Sequence, residues 1–331
     1  LGQYDAQWYL KIADSGYPKN PTDTNMHKKE SMDGLSYAFF PLYPSLLAII
    51  NVPIKNIELT AFLTSNLLLI ANFISLYILV KNLFSKNKAL KTIFLVFFFP
   101  FSIFYRSYFT EGLFLFLLIW FSYFLINKRW LLSALFISLL SITRPNGIIF
   151  ELLFLFYLAK SYFRKEILMR TVLDAFIVSM LAFTGWLLFC YINTGNPMYW
   201  FNIQSVWYKE QNISFPLFHN IKMILNFTSL SWHSFHSSKI DVIAIFITGI
   251  ILFFSRKKLR PELWWISFLI WVIPLLTKDT MSFTRYQIVS FPLFIYLAQN
   301  VKRHDYLILF SLFYLILLIL SLFFINWYWI G

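Results

Sequence analysis

From Tyr306 to the last residue, Gly331, the chain carries no charged side chain, and residues 306–326 are almost wholly Leu, Ile, Phe and Tyr. A run of about 20 apolar residues matches the hydrocarbon thickness of a bilayer. With no water available to its backbone, such a segment satisfies its own N–H and C=O groups as a helix. The remainder of the 331 residues agrees, being 59% hydrophobic, 21% aromatic and only 13% charged overall. A soluble domain has about 45–50% apolar and about 25% charged residues. A water-soluble globule is excluded.

Ten spans are predicted on this basis: 60–80, 92–107, 111–127, 130–143, 147–159, 171–192, 241–254, 263–276, 286–300 and 306–326. Only Arg144-Pro145-Asn146 separates 130–143 from 147–159, which predicts broken or tilted helices there. The expected fold class is all-α, a polytopic helical membrane protein, with residues 1–331 as a single domain.

A net charge of +13 would suggest nucleic acid in a soluble chain. Here the basic residues sort by loop. Lys81, Lys86, Lys88 and Lys91 share one loop and Lys128 and Arg129 the next alternate one, followed by Lys160, Arg164, Lys165 and Arg170. Arg256, Lys257, Lys258 and Arg260 continue the series, then Lys302 and Arg303. The positive-inside rule makes these loops cytoplasmic. Facing outward are then residues 1–59, the turns near 106–110 and 144–146, the long segment 193–240, the turn 277–285 and the C-terminus. Tyr37 to Pro53 is also apolar, but Pro41, Pro44 and Pro53 leave too little for a clean span. It is expected as an interfacial or re-entrant helix on the outer side. No basic run with interleaved aromatics lies on a polar surface, so nucleic acid is not an expected partner. Cys190, the single cysteine, excludes an intramolecular disulfide. The chain opens at Leu1 on a polar, aromatic stretch, and one further helix, running from the cytoplasm outward into Leu1, is expected before it.

Four charged residues stand at outer span ends. Asp5 opens a stretch in which Trp8, Tyr9, Ile12 and Ala13 recur at helical spacing, as in a short helix on the membrane surface. Asp5 is read either as that helix's N-cap or as a general base tuned by partial burial. Glu111 precedes a very apolar helix and would cap it or act as a second acid. Arg144 and Arg285 would snorkel, pair with a carboxylate, or hold a phosphate. Two acids and two arginines on one side are what a site for a lipid-linked phosphate needs. His219, His233 and His236 lack the acid motif that would mark a metal site. Asn212-Ile-Ser214 and Asn226-Phe-Thr228 fit the glycosylation acceptor pattern.

Several motifs together resemble a known family. Asp5-Ala6-Gln7-Trp8-Tyr9 with Ile12-Ala13 and Gly16-Tyr17, then Phe39-Phe40-Pro41-Leu42-Tyr43-Pro44, resembles the opening of the GPI mannosyltransferase II (PIG-V) family and its prokaryotic relatives. Tyr108 to Leu113 is similar to that family's Thr-Glu-Ser motif, with Gly112 in place of Ser, and Thr143-Arg144-Pro145-Asn146-Gly147 to its Arg-Ser-Asn-Gly turn, with Pro145 in place of Ser. Gly195-Asn196-Pro197 with Gln204 and Trp207, and Arg285-Tyr286 before Phe291-Pro292-Leu293, resemble two later motifs.

The resemblance implies a GT-C glycosyltransferase architecture with outer catalytic loop 1–59 and outer loop 193–240. It implies inverting transfer of a sugar, mannose above all, from a polyprenyl or dolichyl phosphate, with the lipid-phosphate sugar as substrate and no resident cofactor. Asp5 would be the catalytic base and Glu111 the second acid. Arg144 and Arg285 would bind the lipid phosphate with Tyr286 nearby, and Trp8, Tyr9 and Asn146 would complete the substrate site. Expected partners are membrane lipids, the polyprenyl-phosphate donor, and a glycolipid, glycan or protein acceptor. Abundant Lys, Asn, Ile and Phe point to an AT-rich prokaryotic genome, and so to a multi-pass protein of the plasma membrane rather than the endoplasmic reticulum. Two rival expectations are a transporter or flippase of lipid-linked sugars, with Glu151 and Asp174 the acids inside or edging apolar runs, and a catalytically inactive scaffold.

Overall fold

The computed structural model describes residues 1–21, 29–207, 227–231, 238–276, 280 and 282–330. It is 79% helix, with no strand among the described residues. In chain order the α-helices are α1 (Asp5–Ser15), α2 (Leu42–Ile54), α3 (Ile57–Leu83), α4 (Lys86–Phe97), α5 (Glu111–Ile126), α6 (Trp130–Ser141), α7 (Ile149–Phe163), α8 (Met169–Thr194), α9 (Tyr199–Trp207), α10 (Lys239–Ser255), α11 (Pro261–Val272), α12 (Phe283–Gln287), α13 (Phe291–Asn300) and α14 (Arg303–Ile325).

Among the described residues, four helical segments are long and apolar enough to cross a bilayer: α3, Pro145–Phe163 (α7 with the 3-10 turn before it), α8 and α14. The sequence predicts ten spans, and the shortfall has local causes. The 92–107 prediction breaks after Phe97, where the Ser102 hydroxyl takes the Phe97 carbonyl at 2.7 Å and a 3-10 turn, Ser102–Tyr105, follows Pro100. The 286–300 prediction divides into α12 and α13 because Pro292 sits in the first turn of a new helix, where its missing N–H costs nothing. The 263–276 prediction begins at Pro261 and tightens into 3-10 geometry over Ile273–Leu276, which contains Pro274. The predicted interfacial segment 37–53 holds α2, a shorter apolar helix.

The described residues gather into two compact units with interleaved chain segments, Leu1–Leu69 with Arg106–Gln211, and Ile70–Tyr105 with Asn212–Gly331. In the first unit α5 is apolar all round and buried on nearly every side, so it forms the centre. Helix α6 packs on α5, α7 and α8. At the α6–α8 seam the small buried Ser138 lets the two backbones approach. The Ser138 hydroxyl accepts the Ala182 N–H at 3.0 Å across it.

The ends of this unit are distinct. Helices α5 and α6 form a hairpin whose open end carries Glu111 and Arg144, 2.8 Å apart. At its closed end Lys128 meets Glu166 at 2.8 Å. That contact and a hydrogen bond from Ser161 hold the Glu166 carboxyl below its ordinary range. The Asn20 N–H donates to the Asn193 carbonyl at 2.8 Å and the Gln204 amide to the Ala38 carbonyl at 3.0 Å, tying the first segment to the end of α8 and to α9. The basic loops of this unit and its other loops therefore lie at opposite ends.

In the second unit the basic loops also share an end: Lys258 donates to Asn300 at 2.8 Å, and Lys91 lies over the Tyr306 ring while its carbonyl accepts the Tyr306 hydroxyl at 3.2 Å. Arg285 and Asp241 lie away from these loops, on α12 and at the start of α10. Only Tyr306 and Phe324 of α14 are buried, as suits a helix surrounded by lipid.

Candidate functional site

Helix α1 does not use Asp5 as its cap. Tyr4 occupies the N-cap position at φ 55° with no side-chain capping bond, and Asp5 is the first helical residue, half-buried. The capping alternative is therefore not realised. One turn on, Tyr9 sits on the same face of the helix and is buried, edge-on to Phe39 at 5.2 Å and to Tyr43 at 5.5 Å. Trp8 stacks on the same Phe39 ring, nearly parallel to it at 5.4 Å. Phe39 is thus clamped between consecutive aromatics of α1, which fixes the helix against the start of α2.

Glu111 begins α5 and is fully buried. Its carboxylate is stabilised there by the unpaired N–H groups of the first helical turn and by the Arg144 guanidinium. Arg144 has extended backbone, as the residue before a proline must, and its side chain is 13% exposed. Pro145 to Ile148 form a 3-10 turn closed by the Gly147 N–H on the Arg144 carbonyl at 2.8 Å. Gly147 is required by space: a Cβ there would lie 2.1 Å from the Leu140 carbonyl oxygen. Asn146 occupies the middle of that turn, half-buried, and its carbonyl accepts the Ile149 N–H.

Tyr9 ties these pieces together. Burial raises its phenol well above the ordinary range; Arg144 opposes the rise, Asp5 and Glu111 add to it, and the Thr110 side chain lies beside the hydroxyl. Asp5, Tyr9, Thr110, Glu111 and Arg144 thus form one electrostatic group at one end of the first unit. The Leu42 N–H donates to the Ile142 carbonyl at 3.1 Å, which seats the start of α2 beside the Arg144 turn.

Arg285 belongs to the second unit. It is 4% exposed, and its guanidinium lies over the Phe104 ring at 4.9 Å and the Trp329 ring at 5.5 Å. Tyr286, next to it on α12, is half-buried. Sequence reasoning missed the residue that anchors this short helix. The buried Asp241 carboxylate accepts the Thr284 N–H at 3.3 Å and the Thr284 hydroxyl at 3.4 Å, while its other oxygen takes the Ser238 hydroxyl at 2.7 Å. The signal was present as Ser238-x-x-Asp241, a capping-box spacing at the start of an apolar run. Thr110 was missed because a threonine before a helix reads as a cap, yet it makes no capping bond.

His219, His233, His236, Asn212 and Asn226 lie outside the described residues. Among the described residues no group of three or more His, Cys, Asp or Glu side chains could hold a metal ion. Asp174 lies on α8, half exposed, with Arg170 at 3.8 Å.

Chemically, Arg144 carries five N–H donors, and its Nη1 donates to Glu111 Oε1 at 2.8 Å. A phosphate approaching its partly exposed face would meet a guanidinium held in place by a buried carboxylate. No protein-family model matches the chain, and no curated protein matches it in sequence.

Proposed function

We propose that the protein is a GT-C-type inverting glycosyltransferase of the kind the PIG-V family represents, taking a sugar, mannose first, from a polyprenyl phosphate at the outer membrane face. The observation that carries this reading is the buried Glu111–Arg144 pair with the Asp5-bearing helix packed against it through Tyr9. In the proposed reaction the Asp5 carboxylate accepts the proton of an acceptor hydroxyl. The acceptor oxygen attacks the anomeric carbon from the face opposite the phosphate. The bond from that carbon to the phosphate oxygen breaks, and polyprenyl phosphate departs with the electron pair. Arg144 stabilises the leaving charge, and Glu111 holds Arg144 in place. Trp8, Tyr9 and Asn146, all of the first unit, are proposed to line the substrate. The acceptor class is a glycolipid, a glycan or a protein, and the setting a prokaryotic plasma membrane.

The test is transfer from radiolabelled polyprenyl-phosphate mannose in membranes holding wild type or Asp5→Asn. Wild type should label a membrane acceptor, and Asp5→Asn should lose about 10²-fold or more of the rate, the ordinary contribution of a general base. Equal rates would remove Asp5 from the chemistry.

One observation favours a second reading, transport of a lipid-linked sugar: Glu151 is buried within a candidate span, where an ionisable group is expected along a transport path. Labelled donor that changes leaflet without forming a product, in the wild type, would select that reading.

A further inference from the structure

Glu151 takes no part in the transfer chemistry proposed above, and its surroundings are unusual for an acid. It is 6% exposed, in the first turn of α7, within one of the four candidate spans. Among the described residues neither carboxyl oxygen has a hydrogen-bond partner. On the same helix Leu152 and Phe156 are exposed, as side chains that meet lipid are.

We propose that Glu151 is an intramembrane proton site: a carboxylic acid that keeps its proton at neutral pH in the seam between α7 and α8. A charged carboxylate shut away from water without a donor or a cation is far costlier than the neutral acid, which makes the neutral form the one that folds. The neighbouring elements supply no compensating charge. Helix α6 and the turn Pro145–Ile148 carry no titratable side chain. Helix α5 carries Glu111, which pairs with Arg144, and Tyr123. Helix α8 carries Arg170 and Asp174, which pair with each other at its exposed start, and Cys190 and Tyr191 near its far end. On α7 itself Tyr157, Lys160 and Tyr162 follow, with Lys160 directed over the Phe156 and Tyr157 rings.

Ser179 of α8 gives its hydrogen to the Phe176 carbonyl at 2.9 Å rather than to Glu151. The site holds whether the protein transfers sugars or transports them.

Infrared difference spectroscopy of the full chain in lipid tests it. The neutral-minus-alkaline spectrum of wild type should contain a protonated-carboxyl C=O band that Glu151→Gln lacks. The wild-type Tm should fall as alkaline pH strips the proton and leaves an uncompensated charge. Glu151→Gln, a neutral isostere, should match the wild-type Tm at neutral pH to within about 2 °C and lose that alkaline sensitivity. A carboxylate signal for Glu151 at neutral pH would overturn the proposal, as would a Gln variant that does not fold.

Discussion

A glutamate with no exposed surface meets an arginine 2.8 Å away that keeps only a little of its own, and this contact does more than either residue could alone. Removing one member of a buried pair leaves the other charged and unsolvated, at about 3–5 kcal/mol. Arg144→Ala is therefore expected to destabilise the protein by about that amount, and Arg144→Ala with Glu111→Gln by clearly less. A double-mutant cycle on thermal unfolding in detergent checks it; additive losses would mean the pair is not coupled. Sequence alone showed both charges at span ends but not their partnership. They are 33 positions apart, and nothing in a helix period links positions so distant. Asp5 shows the converse: its sequence context allows a cap or a base equally, and only the backbone, which puts Tyr4 at the N-cap, removes the first.

At the scale of elements, the turn from α6 to α7 depends on a close backbone approach. Gly147 lies against the Leu140 carbonyl so tightly that any side chain must displace the turn holding Arg144. Gly147→Ala is expected to cost about 1–3 kcal/mol through overpacking, read as a lowered Tm. An unchanged Tm would show that the turn yields freely. The motif Thr143-Arg144-Pro145-Asn146-Gly147 announced a break in the sequence, because the proline and glycine end helices for reasons contained in themselves. The exact stops of α4, α11 and α12 were less legible. Each apolar run continued past a proline-associated break that hydropathy averages over, as at Ser102 and Pro292.

For the whole molecule, the partition of basic loops makes a prediction about sidedness. With Cys190 replaced by Ser, a cysteine at Lys257 should react with a membrane-impermeant maleimide only from the cytoplasmic face. A cysteine at the exposed Asp14 should react only from the outside. Reaction of both from one face would overturn the orientation. That the chain is helical, with helices long and apolar enough to cross a bilayer, was legible in the sequence alone, because hydrophobic run length is a property of the chain that needs no partner. Which apolar helix faces protein and which faces lipid was decided only by the tertiary structure. Helices α5 and α14 are similarly apolar, yet the first is buried on nearly all sides and the second scarcely at all. Lipid and protein interior are equally oily, so hydropathy cannot separate them; close packing at seams such as Ser138 on Ala182 does.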